Sequence, residues 1–558
     1  MAGEHAPTQQ DYDAPLEVVY TDFSGGFDGV SKRDALPPNT ALFAENCWCR
    51  GTISESNLYG SLRTRPGYTI LLENPLGAGA GSLTNLCVVN TTAAVTGQWV
   101  FALVPSTGGI YVTPWPAPLA WALITTIPGA TEMRAVSFSG RGIFCVYGPG
   151  AVGGMFSFDG AAWAAIAGTP IARYIELHRG RVFVAAPDTA PFQIFYSDLF
   201  DPLTWPVTNI IPNVVDSNPN WQITGLMEYR DRLYVSTGLS FYALVGSGPP
   251  DYEFYKVTSW AGCSSARSLS TDGSYIYFLS NKGFMRWDGS SEPDNISRPV
   301  WNYYRNDFDG ALANTTQCVY HDEALYIVYR TLTGTNKYRG MLHDLWGSQS
   351  RGWYPTRIDT WNFASLLTVE NGLYIIAGDA LNGRLVRLDN GHTDGANGID
   401  TEWRHRPESE FGNPAYKTIQ KRLNRIEILA ELDVSPRVCV DIPNVSMNHV
   451  DKPGIFAVVV AGPEKVEIDL YPDFNACAAI MTDGTTDMDL RSGTSIAGSH
   501  ISELRAPYDR TVVLFVAPAP QDFPLFNAVS WAVKRTGAKT AMTILAVKLI
   551  AHLAASQQ

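Results

Sequence analysis

The stretch Tyr275-Ile-Tyr-Phe-Leu-Ser280 is one of seven short hydrophobic runs in this 558-residue chain, each centred on an aromatic residue. The central aromatics are Phe101, Phe144, Phe183, Tyr234, Tyr277, Tyr326 and Tyr374. Successive ones lie 43, 39, 51, 43, 49 and 48 residues apart. A repeat of about 40 to 50 residues built from short strands is typical of a β-propeller, in which small antiparallel sheets surround one axis.

Further apolar segments flank each run. One precedes the central aromatic, as Ile223–Tyr229 precedes Tyr234, and another usually follows it after a turn. A fourth, outer strand is expected near Trp121, Trp163, Trp205, Phe254 and Trp353. We therefore predict an all-β fold with a propeller of six to eight blades, seven being favoured. Closure of the ring can borrow a strand from either end of the chain.

The repeat stops near residue 400, and this divides the chain into three expected segments. Residues 1–75 form a polar arm and an extended, Gly- and Pro-rich segment, and residues 76–400 form the propeller. Alternating apolar runs after a polar linker predict a β-sandwich-like domain over residues 401–558, with a short helix at 475–481.

Composition excludes some classes of function. A net charge of −13 and a pI near 5.2 argue against binding DNA through a basic surface. An acidic wall lets DNA pass without sticking, although acidity also simply maintains solubility. Eight scattered cysteines indicate buried free thiols made in a reducing compartment. The N-terminus has no signal-peptide pattern and no apolar stretch is long enough to span a membrane, so we expect folding in the cytoplasm.

Motifs that carry chemistry are weak. The nine histidines are isolated in the sequence, and neither a nucleophile elbow nor a phosphate-binding glycine loop is present. We therefore expect no metal and no cofactor. Asp389, Asp394, Asn397 and Asp400 offer oxygens for calcium, but their spacing fits a plain polar turn better.

Propellers also host glycosidases, which need paired carboxylates. Asp159, Asp272 and Asp288 are candidates, yet each lies in a hairpin where Asp is favoured for turn geometry alone. Ser270-Thr-Asp-Gly273 only partly resembles the Asp-box turn of sialidases, because the following Trp is missing. We expect the protein not to be an enzyme.

The segment before the propeller carries a resemblance to a known family. Gly25-Gly26 is followed by Leu36-Pro-Pro-Asn39, Ala44-Glu-Asn-Cys-Trp48 and Leu62-Arg-Thr-Arg-Pro-Gly-Tyr68. This order resembles the opening of the tail nozzle, or tail tubular protein B, of short-tailed bacteriophages. The residues that match are Gly25, Gly26, Asn46, Trp48, Arg65, Pro66 and Gly67, so the match covers about 50 residues.

The resemblance implies a structural virion protein: a homo-oligomeric ring, usually a hexamer, that extends the DNA channel below the portal and adaptor. Such a ring retains the genome, lets it pass at ejection without sequence-specific binding, and seats tail fibres or spikes. The location implied is the virion tail, after assembly in the host cytoplasm. We also expect the N-terminal arm and residues 19–75 to contact neighbouring subunits, because a long polar, turn-rich segment has little core of its own.

Two sets of residues are candidates for the subunit interface. One is the matching set Gly25, Gly26, Asn46, Trp48, Arg65 and Pro66. The other is a basic stretch that could pair with acidic surface of a neighbour, or simply form a solvated face; it comprises Arg404, Arg406, Lys421, Arg422 and Arg425. The alternative functions are a carbohydrate- or receptor-binding tail protein and, less favoured, a propeller glycoside hydrolase.

Overall fold

A computed structural model of the chain describes the following residues. They are 15–31, 36–49, 60–75, 82–92, 97–118, 120–150, 152–186, 188–212, 214–215, 222–246, 248–249, 251–332, 337–345, 352–357, 361–391, 393–399, 401–405, 421–432, 437–442, 455–461, 466–471, 481–482, 504–505, 511–516, 532–535 and 542–553. The chain forms two compact units, one of residues 68–350 and 356–390, the other of residues 1–67, 351–355 and 391–558.

The first unit is a β-propeller of seven antiparallel blades, as predicted. Blades one to four contain the strands Asn85–Asn90, Gln98–Val104, Gly109–Trp115 and Ala122–Thr126; Glu132–Phe138, Arg141–Gly148, Val152–Phe158 and Trp163–Ala165; Tyr174–His178, Arg181–Ala185, Ile194–Tyr196 and Ile210–Ile211; Ile223–Tyr229, Arg232–Thr237, Phe241–Val245 and Glu253–Thr258. Blades five to seven contain, within this unit, Ser270–Thr271, Ile276–Ser280, Gly283–Trp287 and Asp294–Asn295; Gln317–His321, Ala324–Arg330 and Tyr338–Asp344; Phe363–Val369, Tyr374–Asp379, Leu385–Leu388 and Tyr68–Leu72.

Among the described residues of the propeller, helical structure lies in the connections between and before blades. One α-helix, Trp301–Asp307, and the 3-10 turns Arg298–Val300 and Gly310–Thr315 join blade five to blade six. A further 3-10 turn, Ala266–Ser268, precedes blade five. No helix among the described residues is both long and apolar enough to cross a membrane.

The core of the propeller fills the spaces between blades. Six of the seven central aromatics are buried, and Tyr374 is half-buried beneath the Arg387 guanidinium. The Phe101 and Phe144 rings of blades one and two lie 4.6 Å apart, and the hydrophobic cluster around them draws side chains from both blades. Similar clusters join blades two and three, three and four, four and five, six and seven, and seven and one. Burying a large apolar side chain contributes roughly 1.5–3 kcal/mol, so these clusters stabilise the contacts between the blades.

The ring closes at blade seven with a strand from the N-terminal side of the chain. Tyr68–Leu72 pairs with Leu385–Leu388 and supplies the fourth strand, after which the chain enters blade one. The Ser365 hydroxyl of blade seven donates to the Leu83 carbonyl at 2.9 Å, beside blade one. Closure therefore joins residues about 300 positions apart, and it borrows the strand from one of the two ends expected.

The second unit contains two β-sheets. The seven-stranded sheet contains Cys47–Trp48, Leu62–Thr64, Met542–Leu553, Lys421–Leu432, Thr511–Val516 and Leu504–Arg505, with Leu16–Tyr20 also paired to Met542–Leu553. The eight-stranded sheet contains Gly26–Phe27, Thr40–Glu45, Thr401–His405, Ala532–Arg535, Arg437–Ile442, Ile455–Ala461, Val466–Tyr471 and Met481–Thr482. Trp353–Pro355 and the hairpin strands Thr393–Asp394 and Asn397–Gly398 also belong to this unit.

Three details differ from the sequence-based expectations. Residues 16–67 share sheets with the C-terminal strands, and Phe23, Leu36 and Leu62 are fully buried, so the expectation that this segment has little core is wrong. The outer strand of blade three is Ile210–Ile211. Trp205, near which this strand is expected from the sequence, lies in the loop before it. The expected helix at 475–481 falls outside the described residues except at Met481, which starts a strand.

Candidate functional site

The central channel of the propeller is one candidate site. It is a partly open cavity of about 400 Å³ lined by the first strands of the blades and by the turn before blade five. Its polar lining residues are Asn85, Arg134, Glu176, Glu228, Arg267 and Gln317, interspersed with Leu and Met side chains. That volume matches a small-molecule pocket in size.

Arg267 partly fills this channel. Its Nη1 donates to the Thr84 carbonyl at 2.7 Å, which carries the guanidinium from blade five to the entrance of blade one. Burial lowers the pKa of Arg267, and the Glu132 carboxylate of blade two opposes that shift. The side chain thus joins opposite sides of the ring, and the channel is no open conduit.

The carboxylates nearest the channel differ in charge state. Glu132 accepts from Arg173 Nε at 3.1 Å, and the arginines around it hold its pKa below the usual value despite burial. Burial instead raises the pKa of Glu176 to about 7, and the Glu228 carboxylate adds to that rise. Glu176 therefore exchanges a proton near neutral pH, which is a property frequent at functional sites.

Polar side chains also bridge successive blades near the axis. Asn85 of blade one donates to Thr131 O and accepts from Met133 N of blade two. Gln317 of blade six donates to Ala364 O and accepts from Leu366 N of blade seven. Because both amides are satisfied, they serve to fix the blades rather than to await a ligand.

A second candidate site lies in the other unit and contains the residues that resemble the phage tail proteins. Arg65 is 1% exposed, its Nε donates to Asn46 Oδ1 at 2.9 Å, and its guanidinium forms a bidentate ion pair with Asp394. The Arg65 amide donates to the Asn46 carbonyl at 2.9 Å. We call Arg65, Asn46 and Asp394 the Arg65 cluster; its buried charges are paired and hydrogen-bonded, as burial requires.

Backbone geometry explains the glycines of the same motif. Gly26 has a φ of 63°, and a Cβ there would meet the Trp353 amide at 2.5 Å. A Cβ on Gly67 would lie 2.0 Å from the Thr393 carbonyl. Neither position tolerates a side chain, so the motif demands glycine for close backbone approach.

The predicted interface residues have the following positions. Asn46, Trp48, Arg65 and Gly26 are buried within one chain, whereas Gly25 and Pro66 are half-buried. In the basic stretch, Arg404 lies in Thr401–His405, and Lys421, Arg422 and Arg425 lie in Lys421–Leu432. Arg406 lies outside the described residues. Their role at a subunit interface stays a prediction.

The hairpin carboxylates have the turn role that their sequence context favoured. Asp159 Oδ1 accepts from the Ala161 and Ala162 amides, and Asp272 Oδ1 accepts from the Ser274 and Tyr275 amides. Asp288 accepts from two amides in the same way, and these bonds lower its pKa to about 2. Such carboxylates are structural.

The polar loop around Asp394 does not gather calcium ligands among its described residues. The Asp394 carboxylate is paired with Arg65, and Asp389 accepts from the Tyr326 hydroxyl. Asp400 lies outside the described residues. The loop thus serves as a turn and as the acidic partner of a buried arginine.

Six cysteines are free and buried, as expected: Cys47, Cys49, Cys87, Cys145, Cys263 and Cys318. Burial raises the pKa of Cys87 to about 12 and that of Cys263 to about 11. These thiols stay protonated and inert at neutral pH. The side chains of Cys439 and Cys477 are not described.

Sequence reasoning missed the channel residues. Glu176 and Glu228 each stand among apolar residues in a first strand, within Tyr174–His178 and Ile223–Tyr229. A carboxylate at such a position is the signal that could have found them, because the first strands of a propeller line its axis.

Fold and sites together define a seven-bladed β-propeller protein with a second two-sheet unit. No known protein-family model and no curated protein matches the chain. Among solved structures it is similar to the extracellular domain of a hybrid two-component system of B. thetaiotaomicron, with 12% identity and a TM-score of 0.36. That alignment covers 75% of this chain, which spans about half, 47%, of the other. A structure of the mitotic checkpoint complex aligns with 9% identity and a TM-score of 0.35, covering 57% of this chain and 94% of that one.

Proposed function

We propose that this protein is a structural subunit of a bacteriophage tail. Identical copies form a ring that extends the DNA channel, retains the genome and lets it pass at ejection. The observation that carries the proposal is the Arg65 cluster: Asn46 and Arg65, two of the residues that resemble the tail-nozzle family, are hydrogen-bonded to each other, and Arg65 is paired with Asp394 in the interior. A motif whose side chains depend on one another in this way is harder to match by chance than separate turns.

The propeller channel itself cannot be the DNA conduit. At about 400 Å³, with Arg267 reaching across it, it has no room for a duplex. The conduit must therefore lie on the axis of a ring of copies. The net charge of −13 supports passage of DNA without adhesion to the wall, since an acidic wall repels phosphates.

The experiment is electron microscopy of the purified full-length protein in negative stain. The proposal predicts closed rings of several copies. Their axial opening should lie between the subunits and not in the channel of any one propeller. As a matched pair, Arg65→Ala should remove rings, whereas the exposed Arg384→Ala should retain them. Particles that remain single at every concentration would contradict the proposal.

One observation favours the alternative, a receptor- or carbohydrate-binding tail protein. In the loop after Ile194–Tyr196, Phe200 is 70% exposed with a φ of 59°, and Leu199 and Val207 of the same loop are also exposed. The loop is held by bonds from the Asp198 amide to Thr204 O and from the Phe200 amide to Gly180 O. A rigidly presented aromatic ring can stack on a sugar.

A glycan array separates the two functions. Saturable binding by single copies, lost in Phe200→Ala but retained in Leu123→Ala, would favour the receptor-binding function. Leu123 is a suitable control because it is also exposed, at 57%, on a different blade. No binding, together with rings, favours the tail conduit.

A further inference from the structure

His178, Glu228 and Asp231 meet at one end of the channel-lining strands of blades three and four. His178 ends the strand Tyr174–His178, Glu228 is the penultimate residue of Ile223–Tyr229, and Asp231 lies in the two-residue turn that follows. One ligand atom from each of the three lies within 4.8 Å of the other two. The turn fixes Asp231, because Arg230 and Asp231 both adopt positive φ, at 49° and 57°.

The Nδ1 atom of His178 faces this group without accepting or donating a hydrogen bond. His178 is 2% exposed, and its buried Nδ1 has no hydrogen bond in the structure described. The Nδ1 atom lies 3.6 Å from Glu228 Oε2, which is too long for a hydrogen bond. A buried polar atom left unsatisfied is costly, and here it faces two carboxylates.

We propose that His178, Glu228 and Asp231 bind one divalent transition-metal ion, with Zn²⁺ as the best match. Two ligand atoms about 2.0–2.2 Å from a tetrahedral zinc ion lie roughly 3.4 Å apart, close to the observed separation of Nδ1 and Oε2. An imidazole ligand favours zinc or cobalt over magnesium or calcium, which prefer oxygen alone. The proposal is independent of the function proposed above.

The surroundings suit such an ion. The Asp231 side chain is 70% exposed, so the ion has a path from solvent, whereas the His178 side chain is 3% exposed and anchors it. Arg179 donates from Nε to Asp231 Oδ1 at 3.1 Å and from Nη2 to Oδ2 at 2.7 Å. This bond orients the carboxylate, as outer partners of metal ligands do, while the positive charge of Arg179 moderates affinity.

The charged groups around the His178 imidazole also suit a cation. They are the Glu228 and Asp231 carboxylates and the Arg179 guanidinium, which is bonded to Asp231. The two carboxylates offer anionic oxygen ligands beside the imidazole nitrogen.

The test is titration of the full-length protein with Co²⁺, followed by visible absorption, and with Zn²⁺ by calorimetry. One equivalent should bind and give the intense bands of a low-coordinate Co²⁺ site. His178→Gln and the exposed Asp231→Asn should each weaken binding of that equivalent tenfold or more. His321→Gln is the matched control, because His321 ends the corresponding strand of blade six but its Nδ1 already contacts Gly372 O at 2.9 Å.

Circular dichroism of each variant without metal reports whether it folds. Asp231→Asn keeps the proposal falsifiable even if His178→Gln unfolds, since its side chain lies at the surface. No saturable equivalent in the unaltered protein, or equal affinity in folded Asp231→Asn, would overturn the proposal. Loss of the equivalent in His321→Gln alone would overturn it as well.

Discussion

Arg65 is buried in one unit and Arg267 is half-buried in the other, and the two arginines differ in how their charge is compensated. Arg65 has a carboxylate across from it in bidentate geometry, an amide oxygen on Nε and a carbonyl on Nη1. Arg267 donates to one carbonyl, Thr84 O, and relies on Glu132 for charge. The comparison indicates that the Arg65 ion pair stabilises its unit. Replacing Arg267 should change the stability of the propeller much less.

The largest expected effect comes from removing the Arg65 guanidinium. Arg65→Ala leaves Asp394 buried without its cation, which should cost about 3–5 kcal/mol of the free energy of unfolding. The measurement is urea denaturation, monitored by tryptophan fluorescence because Trp48 and Trp403 lie in the same unit. A loss below about 1 kcal/mol would contradict the inference that the Arg65 ion pair stabilises its unit.

Measuring the free energy of unfolding against pH tests the charge state of Glu176, which lines the propeller channel. The native Glu176 carboxyl holds its proton to about pH 7, whereas the unfolded one releases it near 4.5, so the native state binds more protons between these values. Stability should therefore fall as pH rises from 4.5 to 7. Glu176→Gln should be more stable than the unaltered chain by about 1–3 kcal/mol at pH 8 and equal to it below pH 4.5.

His178 acts in the opposite direction in this series. Its pKa is lowered to about 4 in the native state, so it contributes stability that is lost as pH falls from 6.5 to 4. Since His178 is present in both the unaltered protein and Glu176→Gln, the difference between their free energies of unfolding reports on Glu176 alone. A difference that does not vary with pH would contradict the assignment.

Replacing Arg267 should have a smaller effect. Arg267→Met removes a buried charge that burial already disfavours, and it leaves Glu132 paired with Arg173. We expect a change in unfolding free energy within about 1.5 kcal/mol, in either direction. Thermal denaturation beside Arg65→Ala is the measurement, and a loss equal to that of Arg65→Ala would abolish the contrast between the two arginines.

The smallest effect is expected at the surface of the closing strand. Arg384 Nε donates to Glu73 Oε2 at 2.8 Å across the seam, with the Glu73 side chain 61% exposed. Arg384→Ala should cost less than about 1 kcal/mol, because solvent screens exposed pairs. Raising the salt concentration should lessen even this difference; a loss as large as that of Arg65→Ala would indicate that this pair holds the ring closed.

Much of the fold could be predicted because each blade is local in sequence. The seven central aromatics mark second strands whose partners are near in sequence, from Cys87 opposite Phe101 to Leu342 opposite Tyr326, so periodicity alone predicts them. The polar, two-residue strand Asp294–Asn295 gave no such signal, and the pairing of Tyr68–Leu72 with Leu385–Leu388 depends on closure of the whole ring.

The candidate sites were harder to predict because their residues are distant in sequence, like the strands that close the ring. Arg65 and Asp394 are separated by 329 positions, and no sequence pattern links the two. His178 is isolated in the sequence because its neighbours in space, Glu228 and Asp231, belong to the next blade. Local sequence reports the turn and the strand, whereas only the packing of blades shows which charges meet.

The mass of the purified full-length protein in solution tests the proposed ring most directly. Mass photometry across a hundredfold range of concentration should give, at the upper end, a discrete species at a fixed multiple of the 61.1 kDa chain, with six copies favoured. A single 61.1 kDa species at every concentration would contradict the account.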